Sequence, residues 1–572
     1  MGLLKSASIF ALLFASSTVE ALSSSLGVRK PIREFAKQIA DIEAGVISRR
    51  DINPSLLYPK HTIAVPVDHF HNESKYEPHS NATFSLRYWF DASNYQAGGP
   101  VIVLQSGETS AVGRLVFMQK GVLAQLAKAT HGIAVVLEHR YYGDSFPTPD
   151  LSTKNLRFLT TEQALADEAY FATHVKFPGL ERYGDLTSKT TAYISYGGSY
   201  AGAFSAFLRV LYPNIFWGSI SSSGVTEALY DYWQYFNPIA EGGPPQCIAT
   251  QKKLVNVVDN LLLKKNRTLT QRLKATYGLP NVTYDNDFAN VLSNGINTWQ
   301  ELNWDPESSN PEFYYYCDNV TSSRLLYKFS EGARTSVSDL VAKGGYGDDP
   351  ALVTAVLNQI GYFNLTAVAP CSQDGTTQDQ CFSHHNYTFY QQQSLSAYPI
   401  RSWAYQYCSQ WGYLQTGNTP AGQLPLISRL LDLEYESIVC RAGFNITTPP
   451  DTEAINKYGG YDINYPRLAI IDGEYDPWRP VTPHGFGYGA KQRSSTYSEP
   501  FILISGAVHH WDENGRFPNE TTSTIPPPAI TETQAIEVKF VQAWMTEWQQ
   551  RRTGYGQTRD GYATSSLNMA LS

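Results

Sequence analysis

The 572-residue sequence contains no Cys-x-x-Cys pair, no surplus of basic residues and, past its first residues, no obvious run apolar enough to cross a bilayer. Each absence removes a class of protein. Without paired cysteine ligands, zinc-ribbon and thioredoxin-like chemistry are not expected. Without a stretch of ~20 apolar residues no membrane span is expected, and the polar C-terminus carries no lipid-anchor signal. Lys and Arg number 44 against 52 Asp and Glu, a net charge of -8, so the basic face that nucleic acid requires is missing. What remains, 42% hydrophobic and 17% charged residues, is the composition of a folded globular protein. The length exceeds what one hydrophobic core usually organises, which predicts two structural units.

Three features place the chain in a secretory compartment. Lys5 precedes the short apolar run Ile9 to Ala15, and Val19-Glu20-Ala21 offers small residues where a signal peptidase cuts, so residues 1–21 read as a signal peptide. Asn-x-Ser/Thr acceptor sites for N-glycosylation begin at Asn72, Asn81, Asn266, Asn281, Asn319, Asn364, Asn386, Asn445 and Asn519. Six cysteines, Cys247, Cys317, Cys371, Cys381, Cys408 and Cys440, are even in number and confined to the middle of the chain. In an oxidising compartment they predict three disulfides. Residues 22–59 form an N-terminal segment whose charged, amphipathic part ends in Arg49-Arg50. It reads as a surface helix or a trimmed pro-segment.

From residue 60 the pattern changes. Thr83 to Trp89 alternates like a strand, and Val101-Ile102-Val103-Leu104, Ile133 to Leu137 and Ala192 to Ser195 are short buried-strand runs. Helical spacings lie between them: Leu115 to Ala127, then residues 162 to 176. Apolar strands separated by amphipathic helices predict a parallel sheet covered on both faces, in an α/β fold. Between residues 231 and 455 the strand rhythm stops. This stretch holds all the cysteines and helix-like segments such as Leu254 to Leu263 and Ile427 to Tyr435. It predicts an inserted, mainly helical cap between a first part (60–230) and a second part (456–552). The sheet pattern returns at Leu468 to Asp472 and Phe501 to Ile504, followed by a last helix with Ile536, Phe540, Trp544 and Trp548 on one face. Residues 553–572 read as a polar, loose tail.

One constellation carries chemistry. Gly197-Gly198-Ser199-Tyr200-Ala201-Gly202 joins a predicted strand to a predicted helix. A serine there sits on a sharp turn that tolerates only small neighbours, Gly197 and Ala201, and it is raised above the sheet edge. The Tyr200 amide then faces a developing oxyanion, and a second amide is expected from Gly107 or Glu108. Serine needs a base. Asp472 and Asp476 follow one predicted strand, and His509 and His510 follow the next. The order serine, acid, histidine, each at a strand's C-terminal end, is that of the α/β-hydrolases. At this level Asp472 competes with Asp476 and His510 with His509, whereas His139 precedes the serine and is a poor base. This chemistry needs no cofactor. A metal is not expected either. His69 and His71 would share a strand face, and His384-His385 and His509-His510 are pairs, yet no third ligand stands at a typical spacing.

The same residues resemble the serine carboxypeptidase family that includes lysosomal Pro-X carboxypeptidase and dipeptidyl peptidase II, together with its secreted fungal members. The likeness runs through Val67 to Phe70, Glu138-His139-Arg140-Tyr141-Tyr142-Gly143-Asp144-Ser145, Thr161 to Asp167, Gly197 to Gly202, Ser402 to Cys408, Asp476-Pro477-Trp478 and Val508-His509-His510. It implies an α/β-hydrolase fold with a helical cap, a triad of Ser199, Asp476 and His509, and a Cys408–Cys440 disulfide. It further implies peptide or protein substrates, cleaved through an acyl-enzyme. The chain departs from the family pattern at Ala201, a tolerable change. Trp478 is kept in the pocket that accepts proline in relatives, but Ala203 and Tyr413 stand where methionine can occur, so a proline preference does not transfer directly. An esterase on the same triad and a non-catalytic binding module are the rival readings.

Overall fold

The computed structural model describes residues 54–373 and 375–553. The expected signal peptide, Arg49-Arg50 and the tail beyond residue 553 lie outside the described residues. β1 (His61–Pro66), β2 (Thr83–Asp91), β3 (Val101–Gln105), β4 (Ile133–Leu137), β5 (Tyr193–Gly198) and β6 (Gly218–Ser222) precede the inserted region. Within that region are β7 (Leu229–Asp231) and β8 (Gly412–Leu414), and after it β9 (Leu468–Gly473) and β10 (Phe501–Ile504). Eight of these form one sheet in the order β1-β2-β4-β3-β5-β6-β9-β10. β1–β2 and β2–β4 are antiparallel and every other pairing in the sheet is parallel. This is an α/β-hydrolase sheet, with the serine-bearing turn leaving the inner strand β5.

Alternation along the strands divides the core into two layers. On β3, Val101 and Val103 pack into one layer and Ile102 and Leu104 into the other; Ile133, Val135 and Leu137 of β4 likewise oppose Ala134 and Val136. A strand whose two faces are both buried must be apolar throughout, hence the unbroken hydrophobic runs. One layer is closed by α1 (Val122–Thr130) and by the last helix, Pro528–Arg552. The other runs without interruption into the insertion, through Phe207, Trp411 and Tyr458. The insertion is therefore continuous with the hydrolase core.

Between β6 and β9 the regular elements are helices except for β7 and β8, which pair in parallel across the insertion. Its three disulfides join Cys247 to Cys317, Cys371 to Cys381 and Cys408 to Cys440. Contrary to the expectation of no such run, helical residues Pro350–Ser372 form a 23-residue stretch long and apolar enough to cross a bilayer. Most of it is buried, and its first half packs on Pro245–Leu262, Glu312–Thr321 and Glu331–Val341 as a core helix.

Three local expectations need correction. The pattern from Leu115 to Ala127 is not one helix. A 3₁₀ segment, Ala111–Met118, is separated from α1 by Gly121, at φ 94°, where a β-carbon would lie 2.4 Å from the Glu513 carbonyl oxygen. Ile427 to Tyr435 is mostly turn, because Ser428 Oγ and the Arg429 amide both bind the buried Asp259 carboxylate, and helix begins only after the Asp432 cap. On the last helix Phe540 and Trp544 are buried but Ile536 is exposed. Four-residue steps drift around a helix of 3.6 residues per turn, and Ile530, Glu537 and Val541 complete the inner face instead.

Candidate active site

Ser199 has φ 62° and ψ −126°, a conformation that side-chain-bearing residues rarely adopt. Two glycines make the turn possible. A β-carbon on Gly197 would stand 2.1 Å from the Ala201 carbonyl oxygen, and one on Gly202 would stand 2.6 Å from that of Ser222. Ala201 is accepted because Gly107 and Gly197, the residues facing its methyl group, have no side chains. Position 202 is thus sterically demanding as well as 197 and 201. The Ser199 amide donates to Ser222 O at 2.9 Å, tying the turn to β6. α2 (Tyr200–Leu211) starts at the next residue, so the Tyr200 amide lies in the first turn and lacks an intrahelical acceptor.

The distinctive Glu138–Ser145 run supports this turn from below. His139 Nδ1 donates to Arg140 O (2.7 Å), which leaves Nε2 to accept from the Tyr200 hydroxyl at 2.9 Å. Gln406 Nε2 donates to that same hydroxyl. Burial pushes the His139 pKa down to about 4, so it stays neutral in this role. Glu138 clasps Arg87 with two 2.6 Å bonds and accepts from the Ala111 amide. Arg140 clasps Asp167 in the same bidentate manner.

Asp476 and His509 come together. His509 Nδ1 donates to Asp476 Oδ2 at 2.8 Å, both side chains are buried, and Asp476 Oδ1 accepts from the Trp478 amide at 2.8 Å. An ionised carboxylate only accepts, so the proton sits on Nδ1 and the lone pair of neutral His509 on Nε2. That Nε2 is buried and makes no hydrogen bond. Asp472, the competing acid, is already taken: it accepts from His484 Nδ1 at 2.6 Å, with the His484 ring stacked on Phe501. His510 is also occupied, with Nδ1 3.0 Å from Glu513 Oε2 and its amide on Ser223 Oγ. A β-carbon on Gly198, the residue before the serine, would fall 3.3 Å from both His510 Cγ and Glu513 Oε2. The histidine loop therefore lies against the serine turn.

Charges tune this loop. Burial disfavours the His510 imidazolium, but Glu513 outweighs burial and the pKa is raised. For His509 burial wins: its pKa falls below the ordinary value despite Asp476, and the neighbouring His510 pushes it the same way.

The expected pocket residues fare differently. Trp478 is half-buried beside His509, with ring centroids 6.5 Å apart. It stacks on Tyr232, meets Tyr235 and Tyr413 edge-on, and donates Nε1 to Gln300 Oε1. Tyr413 is nearly buried and its hydroxyl donates to Val225 O. Ala203 has no accessible surface. Tyr232, Tyr235 and Gln300 were missed in the sequence, since only folding brings the insertion onto the Asp476 loop. Gly107 has a positive φ, and its amide donates to Gln105 Oε1 at 2.5 Å. It can serve an oxyanion only after Gln105 lets go. His69 and His71 do not form a pair: His69 Nε2 donates to Asp167 Oδ1.

Buried acids below the site set the pH range of the fold. Glu168, which accepts from Ser195 Oγ, is pushed up by burial to about 8, and Asp512, which accepts from Tyr196 and Ser222, to about 6. For Glu162 burial is outweighed by Lys75 and Lys457, and its pKa falls to about 2. Raised acids stabilise the fold fully below their unfolded pKa values and lose that contribution as pH rises through the folded ones; a depressed acid does the reverse. Melting temperature is therefore expected to peak near pH 4–5. It should fall as pH rises through about 6, where Asp512 ionises, and on toward about 8, where Glu168 does, and it should fall toward pH 2, where Glu162 is protonated. Scanning calorimetry across that range checks this, with Glu168→Gln flattening the alkaline side.

Comparison with known proteins agrees with this architecture. The family model described as serine carboxypeptidase S28 matches residues 66–525. A probable extracellular serine carboxypeptidase of Arthroderma benhamiae is 50% identical over 518 residues, covering 90% of this chain and 71% of that protein. The serine protease vicPb of Bipolaris victoriae is 28% identical over 80% of this chain and 85% of its own length. The human thymus-specific serine protease is 25% identical over 77% of this chain and 80% of its own. A family match across most of the chain, joined to a half-identical relative, leads to one conclusion: the chain belongs to the serine carboxypeptidase S28 family.

Proposed function

We propose that the chain is a secreted carboxypeptidase in which Ser199 is the nucleophile, His509 the general base and acid, and Asp476 the group that fixes the imidazole. The observation that carries this reading is the buried Asp476–His509 hydrogen bond, which leaves Nε2 without a hydrogen-bond partner, on a loop whose His510 and Glu513 lie against the serine turn. Ser199 Oγ attacks the scissile carbonyl carbon while Nε2 takes its proton, and Asp476 stabilises the imidazolium. The Tyr200 amide receives the oxyanion, joined by Gly107 once Gln105 releases it; one such donor is worth roughly 10²–10³ in kcat. The proton passes to the leaving amine, an acyl-enzyme remains, and water activated by His509 releases the product. The half-buried face of Trp478 supports an apolar residue, proline included, ahead of the scissile bond. The segment before residue 22 and the glycosylation sites support secretion. Of those sites Asn72, Asn81, Asn266, Asn281, Asn445 and Asn519 are exposed, and Asn319, Asn364 and Asn386 are partly so.

Because the His509 pKa is lowered and its neutral form is the working one, the acid limb of kcat/KM is expected to have its midpoint below pH 6.5. A pH–rate profile on a peptide substrate checks this. The function itself is tested by digesting a peptide library in the presence of simple esters. Loss of C-terminal residues, enriched for apolar residues before the cut, is the expected result. Turnover of esters alone, or cuts scattered through peptide interiors, would contradict it.

A further inference from the structure

The loop joining β1 to β2 carries a group of side chains that the peptidase chemistry does not use. Asp68 is buried, and its Oδ1 accepts from the Phe70 amide at 2.9 Å and from Gln163 Nε2 at 2.8 Å. Its Oδ2 accepts from His79 Nδ1 at 2.8 Å. The His71 ring lies 5.4 Å from that of His79, and one ligand atom from each of Asp68, His71 and His79 lies within 4.8 Å of the other two. We propose that Asp68, His71 and His79 bind a divalent transition-metal ion, best matched by zinc.

Two imidazoles and one carboxylate suit zinc, and three protein ligands leave a fourth, tetrahedral position to water. Ligand atoms around such an ion stand roughly 3.3 Å apart, given bonds of about 2.0–2.1 Å. The exposed His71 ring can swing inward to close the remaining gap. Asp68 supplies what a ligand carboxylate needs: one oxygen held by two donors, the other facing His79 Nδ1. The ion would take the place of the proton that His79 Nδ1 now donates to Asp68 Oδ2; in the neutral ring that proton moves to Nε2, which leaves the Nδ1 lone pair for the metal. Through Gln163, which lies in the helix Thr161–His174, the metal would staple the loop to the body of the protein. Sequence spacing concealed the set, because His79 lies on the far side of the loop and His69 is turned toward Asp167.

The test uses the full secreted chain, stripped with EDTA and dialysed. Zn²⁺ is titrated calorimetrically, and Co²⁺ is followed by its visible bands. One saturable site per chain is expected, with affinity at least ~10-fold weaker in His71→Ala and in His79→Ala, and with peptidase activity unchanged in both. His79→Ala removes a hydrogen bond to Asp68 and can disturb the loop; His71→Ala removes none and keeps the test valid. Absence of saturable binding would overturn the proposal. So would binding of equal strength in the His71→Ala protein, which would locate the ion at other histidines.

Discussion

Ser199→Ala is expected to lower kcat/KM by roughly 10⁶-fold without unfolding the protein, because a nucleophile and its base act as a unit. The turn itself offers a sharper form of this experiment. A non-glycine residue at φ 62° stores on the order of 1–3 kcal/mol of backbone strain. Ser199→Gly should therefore abolish activity and yet raise the melting temperature by a few degrees, less whatever glycine gains in the unfolded chain. Thermal melts and steady-state kinetics on wild type and both variants separate the two quantities. A Ser199→Ala protein that kept a tenth of its activity would move the nucleophile elsewhere.

Asp476→Asn is expected to cost roughly 10⁴-fold in kcat. An asparagine can turn its NH₂ toward Nδ1, which forces the imidazole proton onto Nε2, where it faces the serine instead of a lone pair. The Trp478 amide, held by Asp476 Oδ1, keeps an acceptor in the asparagine, so the loop survives. Asp472→Asn is the informative contrast. Asp472 is as deeply buried and also bonded to a histidine, but that histidine is His484, wedged on Phe501. Weakening such a buried hydrogen bond costs roughly 1–3 kcal/mol. Asp472→Asn should therefore lower the melting temperature while changing kcat by less than ~10-fold. Kinetics and calorimetry on the two variants distinguish the acids that the sequence left in competition.

Much of this was legible in the sequence because burial on both faces forces apolar runs. β3, β4, β5 and β9 announce themselves that way, and the half-buried edge strand β10 shows an apolar run as well. β6 does not: Gly-Ser-Ile-Ser-Ser has no apolar run, yet it lies between β5 and β9, where small side chains let the serine helix approach. The order Ser199, Asp476, His509 was visible because each follows a strand. The ring cluster of Tyr232, Tyr235 and Trp478 was not. Nothing local marks residues whose meeting, like that of Gln300 and Trp478 across 178 positions, depends on how the insertion folds back. His484 escaped notice for the same reason, and with it the structural role of Asp472.

The central claim is that one hydroxyl, on a strained residue whose turn its glycine neighbours make possible, is activated by one imidazole. Covalent labelling with a fluorophosphonate, located by peptide mass mapping, tests it most directly. The account predicts a single adduct on Ser199, absent from Ser199→Ala and formed far more slowly in Asp476→Asn. An adduct on any other residue, or undiminished labelling of Ser199→Ala, would contradict it.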